Sequence, residues 1–182
     1  MSYEVLESKT THVGKIVKVQ LDTLRMPDGK TAQRETVIRG KNAAAVLPVD
    51  SDGNIIFVRQ YRHAFQEMLL EIPAGILEDG EDSATGAARE LEEETGKKPG
   101  KLNFLCEFYP TVGFCTERIF IYFATDLQKG QQKLDEDEFV EIETHTPAEA
   151  VEMILSGEIK DGKTVAAVFA WQALQGKSSQ NA

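Results

Sequence analysis

The chain has 182 residues, of which 41% are hydrophobic and 27% are charged, and this composition predicts a soluble globular domain. A formal net charge of −10 argues against a nucleic-acid surface built from basic residues, and no apolar run approaches the roughly 20 residues that span a membrane. The N-terminus lacks a signal-peptide pattern, and two cysteines, Cys106 and Cys115, are too few for a disulfide framework. We therefore expect a cytoplasmic protein.

Strands dominate the early part of the chain. Turn signals at Pro27-Asp28-Gly29 and Asp52-Gly53-Asn54 separate β-rich segments, as expected of hairpins. β-rich or apolar segments predict strands at 13–26, 31–39, 43–49, 55–61, 69–72, 102–108 and 118–124.

Helical spacing of apolar residues begins after these first strands. Ser83 is the predicted N-cap of a first helix, and Gly96 is its predicted C-terminal stop. A second helix begins at Thr146-Pro147, and residues 162–174 predict a third with one apolar face. Strands and helices without a regular βαβ alternation predict an α+β fold, an α/β/α sandwich around a mixed β-sheet with an N-terminal β-hairpin extension.

The first predicted helix is rich in glutamates. Glu90 and Glu94 are four residues apart and therefore stack on one face, while Arg89 can brace Glu93 across one turn. The oxygens of Glu90 and Glu94 can converge on one ion, and hard carboxylate ligands suit Mg²⁺ or Mn²⁺. A solvated acidic helix face with intrahelical ion pairs is the alternative interpretation.

The wider pattern around this helix favours the metal site. Gly75 is followed by five residues, Glu81, seven residues and the run Arg89-Glu90-Leu91-Glu92-Glu93-Glu94-Thr95-Gly96. This pattern resembles the Nudix box, Gly-x5-Glu-x7-Arg-Glu-U-x-Glu-Glu-x-Gly-U, in which U is a bulky aliphatic residue. Every fixed position matches through Gly96, and the last U position departs because it holds Lys97. The resemblance implies the Nudix-type sandwich.

The resemblance also implies a magnesium-dependent hydrolase of a diphosphate linkage, with Mn²⁺ as a possible substitute. Glu90 and Glu94 match the principal metal ligands of the family, and Glu93 lies close by as a further ligand or catalytic residue. The backbone carbonyl of Ala74 is at a position that often ligates metal in the family. Gly75 would let the chain approach the ion closely.

Further segments resemble the branch of the family that acts on ADP-ribose and nucleoside diphosphate sugars. They are Gln60-Tyr61-Arg62, Glu71-Ile72-Pro73-Ala74-Gly75, and Tyr109-Pro110-Thr111-Val112-Gly113-Phe114 with Glu117. The resemblance implies substrate-binding roles for Arg34, Arg62, Glu71 and Glu117. Arginines are also needed on chemical grounds, because a protein of net charge −10 would otherwise repel a diphosphate. Thr111 and Val112 depart from the branch's Pro-Ser-Pro-Gly loop, which leaves other substrates open.

The catalytic base is expected in the acidic loop 135–138. In this branch of the family a loop at this place brings a glutamate to the metal site. Glu138 and Glu136 match the two candidates, ahead of Glu141. The alternative is an ordinary solvated acidic loop.

The expected reaction is hydrolysis of ADP-ribose or a related nucleoside diphosphate sugar, by metal-activated water, to a nucleoside monophosphate and a sugar phosphate. Two alternatives stay open: a Nudix hydrolase of dinucleoside polyphosphates or coenzyme A, and a non-catalytic module that binds ADP-ribose. The predicted organisation is an N-terminal β-strand region (1–42) that takes part in a homodimer, a Nudix domain (43–176) and a disordered tail (177–182). Neither a nucleic acid nor a membrane is an expected partner.

Overall fold

A computed structural model describes residues 2–135 and 138–180. Contacts divide the chain into two units. The first unit contains the residues up to Asn42 together with Tyr109–Arg118, and the second contains Ala43–Phe108 together with the residues from Ile119 onward. The loop 109–118 therefore groups with the N-terminal strands, an arrangement that the predicted division of the chain did not include.

The first unit is built on a three-stranded antiparallel sheet in the order β1-β2-β3. Its strands are β1 (Glu4–Val13), β2 (Val17–Arg25) and β3 (Thr31–Arg39). The predicted turn between β2 and β3 is present, with Gly29 at a φ of 84° that glycine adopts without strain. Strand β1 lies within the predicted N-terminal β-strand region, but no bounds were predicted for it, because it is exposed along its whole length and has no hydrophobic alternation.

The second unit contains the remaining strands. They are β4 (Ala43–Pro48), β5 (Ile55–Arg62), β6 (Glu67–Glu71), β7 (Ala74–Ile76), β8 (Lys97–Lys98), β9 (Lys101–Phe108), β10 (Ile119–Thr125), β11 (Gln128–Lys129) and β12 (Val140–His145). A four-stranded sheet has the order β7-β4-β10-β9 and is mixed, because β4 and β10 are parallel while the other pairs are antiparallel. A second sheet has the antiparallel order β12-β5-β6.

Three helices complete the second unit: α1 (Ser83–Thr95), α2 (Pro147–Ser156) and α3 (Gly162–Gln180). The predicted N-cap of α1 was wrong by one residue, because the side chain of Asp82 and not Ser83 accepts the first free backbone N–H groups. Gly96 ends α1 in the left-handed conformation and Thr146 caps α2, as predicted. Helix α3 runs through Gln180, well into the segment predicted to be a disordered tail.

Strand β4 lies between two apolar cores, which explains why it is buried on both faces. On one face Ala44 and Val46 pack with Leu91 of α1. The opposite face joins a larger core that contains Leu47 and Phe57. This layering confirms the predicted sandwich and the mixed sheet. None of the helices in the described part of the chain is long and apolar enough to cross a membrane.

Candidate active site

Helix α1 separates its packing residues from its acidic residues. Ala87 and Leu91 are completely buried against β4. Glu90 and Glu94 are also buried, although they belong to the charged set. Buried carboxylates need a cation or hydrogen bonds to offset the loss of hydration, and this excludes the alternative of a fully solvated acidic face for these two residues.

Arg89 supplies part of that compensation through a group of contacts that we call the Arg89 cluster (Glu81, Arg89, Glu90 and Glu93). Arg89 Nε and Nη2 donate to the two carboxylate oxygens of Glu81 at 2.9 and 3.0 Å. Its Nη1 donates to Glu90 Oε1 and to Glu93 Oε2, each at 2.7 Å. The predicted brace between Arg89 and Glu93 is therefore present, and one guanidinium orients three carboxylates.

The strand that precedes the helix approaches Glu90 very closely. A Cβ atom added to Gly75 would lie 2.1 Å from Glu90 Oε1, so a side chain at this position would displace the Glu90 carboxylate. Glycine therefore lets β7 lie against Glu90 in its observed position. Ala74, the predicted backbone ligand, is the neighbouring residue on β7 and pairs with Ala45 of β4. Gly75 thus allows β7 to lie close to the Glu90 carboxylate.

Glu94 carries an oxygen without a partner. Its side chain is 2% exposed, and Oε2 has no hydrogen-bond partner among the described residues. Burial, together with the negative charges of Glu90 and Glu138, raises the pKa of Glu94 to about 8. Burial also raises the pKa of Glu90 above its usual value, although Arg89 opposes this. A further positive charge beside them would therefore stabilise the ionised form of both carboxyl groups.

These features fit a divalent ion. Within residues 2–135 and 138–180, no three Asp, Glu, His or Cys side chains already form a closed metal cage. Mg²⁺ does not require one, since it commonly keeps several waters and binds one or two carboxylates together with substrate phosphates. The Glu94 oxygen that has no partner among the described residues and the buried Glu90 carboxylate, next to β7, are oxygen donors of the kind that such an ion binds.

A second group of ionic contacts, the Arg62 cluster (Arg62, Glu71, Asp161 and Lys163), joins β5, β6 and the start of α3. Arg62 donates from Nε and Nη2 to the two oxygens of Glu71, both at 2.7 Å. Lys163 Nζ donates to Glu71 Oε2 and, at 3.0 Å, to Asp161 Oδ2. Burial opposes ionisation of Glu71, but the two cations outweigh it and hold the pKa of that carboxyl below its usual range.

Sequence reasoning predicted Arg62 and Glu71 but missed Asp161 and Lys163. The signal that could have found them is a helix start, because Asp161 accepts from the backbone N–H of Thr164 at 3.0 Å as an N-cap residue does. No local pattern predicts that Lys163 meets Glu71, because the two residues are 92 positions apart.

The acidic loop is tied to the end of α1. Lys133 N donates to Glu93 O at 2.9 Å, and Gln132 Nε2 donates to Glu94 O at 2.8 Å. The backbone N–H of Glu138 donates to Asp135 O at 3.0 Å. The charge of Glu138 acts on the pKa of Glu94, which places it within electrostatic range of the site. Glu136 lies outside the described residues.

Two predicted substrate residues belong to the first unit. Arg34 is exposed on β3 and donates from Nη1 to the backbone oxygen of Gln33 at 2.9 Å. Glu117 accepts from Arg39 Nε at 3.1 Å. Their roles at the substrate stay predictions.

Comparisons with known proteins agree with this geometry. The Nudix domain matches residues 39–168. The methanol dehydrogenase activator of Bacillus methanolicus is 40% identical over 167 residues, which cover 91% of this chain and 90% of that protein. An ADP-ribose pyrophosphatase of Bacillus subtilis (strain 168) is 39% identical over 171 residues, covering 93% and 90%. A crystal structure of an ADP compounds hydrolase, 22% identical, superposes with a TM-score of 0.89 over 97% of this chain and 96% of that one, which shows the shared fold. This chain belongs to the Nudix hydrolase family.

Proposed function

We propose that this Nudix hydrolase cleaves the diphosphate linkage of ADP-ribose or a related nucleoside diphosphate sugar. The products would be a nucleoside monophosphate and a sugar phosphate. The observation that carries the proposal is the buried pair Glu90 and Glu94 on α1, in which Glu94 Oε2 has no partner among the described residues and Gly75 of β7 lies against the Glu90 carboxylate. The name of the Bacillus subtilis relative supports ADP-ribose as the first substrate to test.

The proposed cofactor is Mg²⁺, with Mn²⁺ as a substitute. Glu90 and Glu94 would hold it, with the backbone carbonyl of Ala74 and the neighbouring Glu93 as further donors. When bound, such an ion neutralises charge on the diphosphate and makes a bound water more acidic. Arg89 keeps Glu90 and Glu93 in fixed orientations, so that the donor set is ready before substrate arrives.

Other predicted residues are proposed to bind the substrate and to supply the base. Arg62 would donate to phosphate oxygens, and Glu71 behind it would fix the guanidinium, since Glu71 is buried and engaged by two cations. Arg34 and Glu117 are proposed as further substrate contacts. Glu138 is the proposed base, and Glu136 the second candidate. The water oxygen attacks one phosphorus, its proton passes to the carboxylate, and the bond to the bridging oxygen breaks.

A product assay tests the proposed function. Purified full-length protein is given Mg²⁺ and, separately, ADP-ribose, ADP-glucose, GDP-mannose, a dinucleoside polyphosphate and coenzyme A. We expect AMP and ribose 5-phosphate from ADP-ribose at the highest kcat/KM. Faster turnover of the dinucleoside polyphosphate or coenzyme A would favour that alternative. Binding of ADP-ribose in calorimetry without turnover would favour the non-catalytic module, and the absence of turnover on every compound would refute the proposal.

The base is tested with a matched pair of variants. Glu138→Gln removes a carboxylate within range of Glu94, and we expect kcat to fall roughly 10²- to 10⁴-fold, as loss of a general base does. Glu152→Gln makes the same chemical change at an exposed position of α2 and should leave kcat near the wild-type value. An equal loss in both variants would remove Glu138 from this role.

A homodimer is proposed through the N-terminal region 1–42. Strand β1 is exposed throughout, and this region leaves Tyr3, Val5, Val13 and Ile16 exposed. A long exposed strand with apolar side chains is a surface that a second copy can cover. Light scattering should give twice the chain mass of 20.2 kDa, and a monomeric mass would contradict the dimer.

A cytoplasmic location is proposed as well. Cys106 and Cys115 are both free thiols, which suits a reducing compartment. Fractionation of cells that express the tagged chain would test the location, and recovery in an extracytoplasmic fraction would contradict it.

A further inference from the structure

Lys163 is a buried charge that the proposed reaction does not yet use. It lies in the first turn of α3 and is 8% exposed. Lysine is almost never buried to this degree without a partner, because removing an ammonium from water costs several kcal/mol. Its two partners, Glu71 and Asp161, explain how the charge is tolerated.

The first partner links Lys163 to the proposed substrate residue. Glu71 is 1% exposed, and its Oε2 accepts from both Lys163 Nζ and Arg62 Nη2. Its Oε1 accepts from Arg62 Nε at 2.7 Å. The carboxylate is thus held from the α3 side by Lys163, and it holds the guanidinium on the β5 side through two parallel bonds. A displacement of Lys163 would therefore displace Glu71, and with it the guanidinium of Arg62.

The ammonium itself is fixed by a second set of bonds. Asp161 Oδ2 accepts from Lys163 Nζ at 3.0 Å and from Thr164 Oγ1 at 2.5 Å. Thr164 Oγ1 in turn accepts from the backbone N–H of Ile72 at 2.9 Å. The start of α3 is therefore attached to the end of β6 at two neighbouring residues, Glu71 and Ile72.

Charge balance gives Lys163 a second effect on anion binding. The Arg62 cluster contains two cations and two carboxylates, so its formal charge is zero. Without Lys163 the remaining three members, the Arg62 guanidinium included, would carry a net charge of −1. Arg62 is the member that reaches solvent, with 40% of its side chain exposed, whereas Glu71 is hidden behind it. An arriving diphosphate would meet a weaker positive field.

We propose that Lys163 is a positioning residue for substrate binding, which holds Glu71 and through it fixes the guanidinium of Arg62. The proposal rests on the proposed function, in which Arg62 contacts the diphosphate. Lys163 acts through other residues and touches no reacting atom.

The chain offers a matched control for this proposal. Lys160 Nζ donates to Glu67 Oε2 at 2.8 Å, so the same two regions, β6 and the approach to α3, are joined by an exposed pair as well as a buried one. Lys160→Met and Lys163→Met make the same chemical change three residues apart. Lys163→Arg keeps the charge and tests whether a cation at this place is sufficient.

Steady-state kinetics with ADP-ribose and Mg²⁺ are measured for wild type and the three variants, and unfolding is followed in parallel. We expect Lys163→Met to raise KM about 10-fold while kcat changes less than about threefold, as loss of a buried charged hydrogen bond to a binding group would do. Lys163→Arg should recover most of this loss, and Lys160→Met should behave as wild type. An unchanged KM in folded Lys163→Met protein, or an equal change in Lys160→Met, would overturn the proposal.

A double variant separates positioning from general damage. Calorimetric affinity for ADP-ribose in the presence of EDTA is compared for Arg62→Met, Lys163→Met and the pair. If Lys163 acts mainly by holding Arg62, its substitution has a much smaller effect once Arg62 is gone, because only the loss of its charge then remains. Additive losses would refute this route.

A substrate-independent measurement keeps the two proposals distinguishable. The Nε–H signal of Arg62 in ¹⁵N–¹H NMR should be protected from exchange in wild type and in Lys160→Met, and should lose protection in Lys163→Met. Protection that survives Lys163→Met would refute the positioning of Arg62. If wild type neither binds nor cleaves any nucleotide diphosphate, the proposed function fails, and the binding role of Lys163 fails with it even where the NMR result is as expected.

Discussion

The two arginine clusters of the second unit use the same chemistry but differ in how the chain builds them. In the Arg89 cluster, three of the four members lie within five consecutive residues of α1, and Glu81 lies just before that helix. In the Arg62 cluster, two strand residues meet two residues from the start of α3, across 92 positions of sequence. The first is a local arrangement that organises the proposed metal ligands. The second is a tertiary arrangement that we assign to substrate binding.

The largest effect is expected when the Arg89 cluster loses its cation. Arg89→Met leaves three carboxylates without a shared donor, so we expect kcat to fall at least ~10²-fold through misplaced ligands and the free energy of unfolding to fall by about 3 kcal/mol. Kinetics with ADP-ribose and urea denaturation measure both quantities.

Arg59 provides the control for this variant, because the side chains of Arg59 and Arg89 are both 24% exposed. Arg59 pairs with Glu143 and Glu158, away from α1. Arg59→Met should cost about 1 kcal/mol and leave kcat within about twofold. A similar loss of kcat in both variants would mean that the Arg89 cluster has no special catalytic importance.

A smaller and different effect is expected from the Arg62 cluster. Arg62→Met removes the exposed member, so KM for ADP-ribose should rise roughly 10- to 100-fold, with kcat reduced much less than in Arg89→Met. A lower kcat with an unchanged KM in Arg62→Met would contradict the assignment of the Arg62 cluster to substrate binding, since the residue would then act on the chemical step.

Glu71 of the Arg62 cluster and Glu94, which shares α1 with the Arg89 cluster, predict opposite pH dependences of stability in metal-free protein. The pKa of Glu71 is depressed when folded, so its stabilisation is complete above the unfolded pKa of about 4.3 and is lost as pH falls through the lower folded value. The pKa of Glu94 is raised to about 8, so the folded state keeps a proton that the unfolded state releases, and stability falls as pH rises from about 4.3 to 8.

Urea denaturation in EDTA at several pH values between 5 and 8.5 measures this second slope, which should not exceed about 1.4 kcal/mol per pH unit for one group. Glu94→Gln should flatten it, and a slope that persists in this variant would assign it to another group. Mg²⁺ should bind wild type with release of a proton below pH 8, detectable by calorimetry in buffers of different ionisation enthalpy.

The smallest effect is expected outside both clusters, at the position where the motif departs from its family. Lys97 is exposed on β8 and pairs with Lys129 of β11. Lys97→Leu should change the free energy of unfolding by less than about 0.5 kcal/mol and leave kcat/KM for ADP-ribose unaltered. A larger change in kcat/KM would show that this departure matters to the site.

Local patterns allowed much of the fold to be predicted. Turn residues and β-branched stretches placed β2, β3 and most strands of the second unit, because these signals depend on neighbours in sequence. Strand β1 had no predicted bounds within the N-terminal β-strand region because it buries neither face, and β12 was missed because its polar residues resemble a loop. The order in which the strands pair could not be predicted from the sequence, since the parallel contact between β4 and β10 joins residues more than 70 positions apart.

The carboxylate face of α1 and its brace were predictable from the sequence, since a helical period sets which of Arg89, Glu90, Glu93 and Glu94 meet. The packing of distant segments is what buries Glu90 and Glu94, brings β7 against the Glu90 carboxylate at Gly75, and joins Lys163 to Glu71. The physical reason is the range of the interaction. Helical neighbours are set by backbone geometry within one turn, whereas burial and contacts between strands and α3 depend on how distant segments pack.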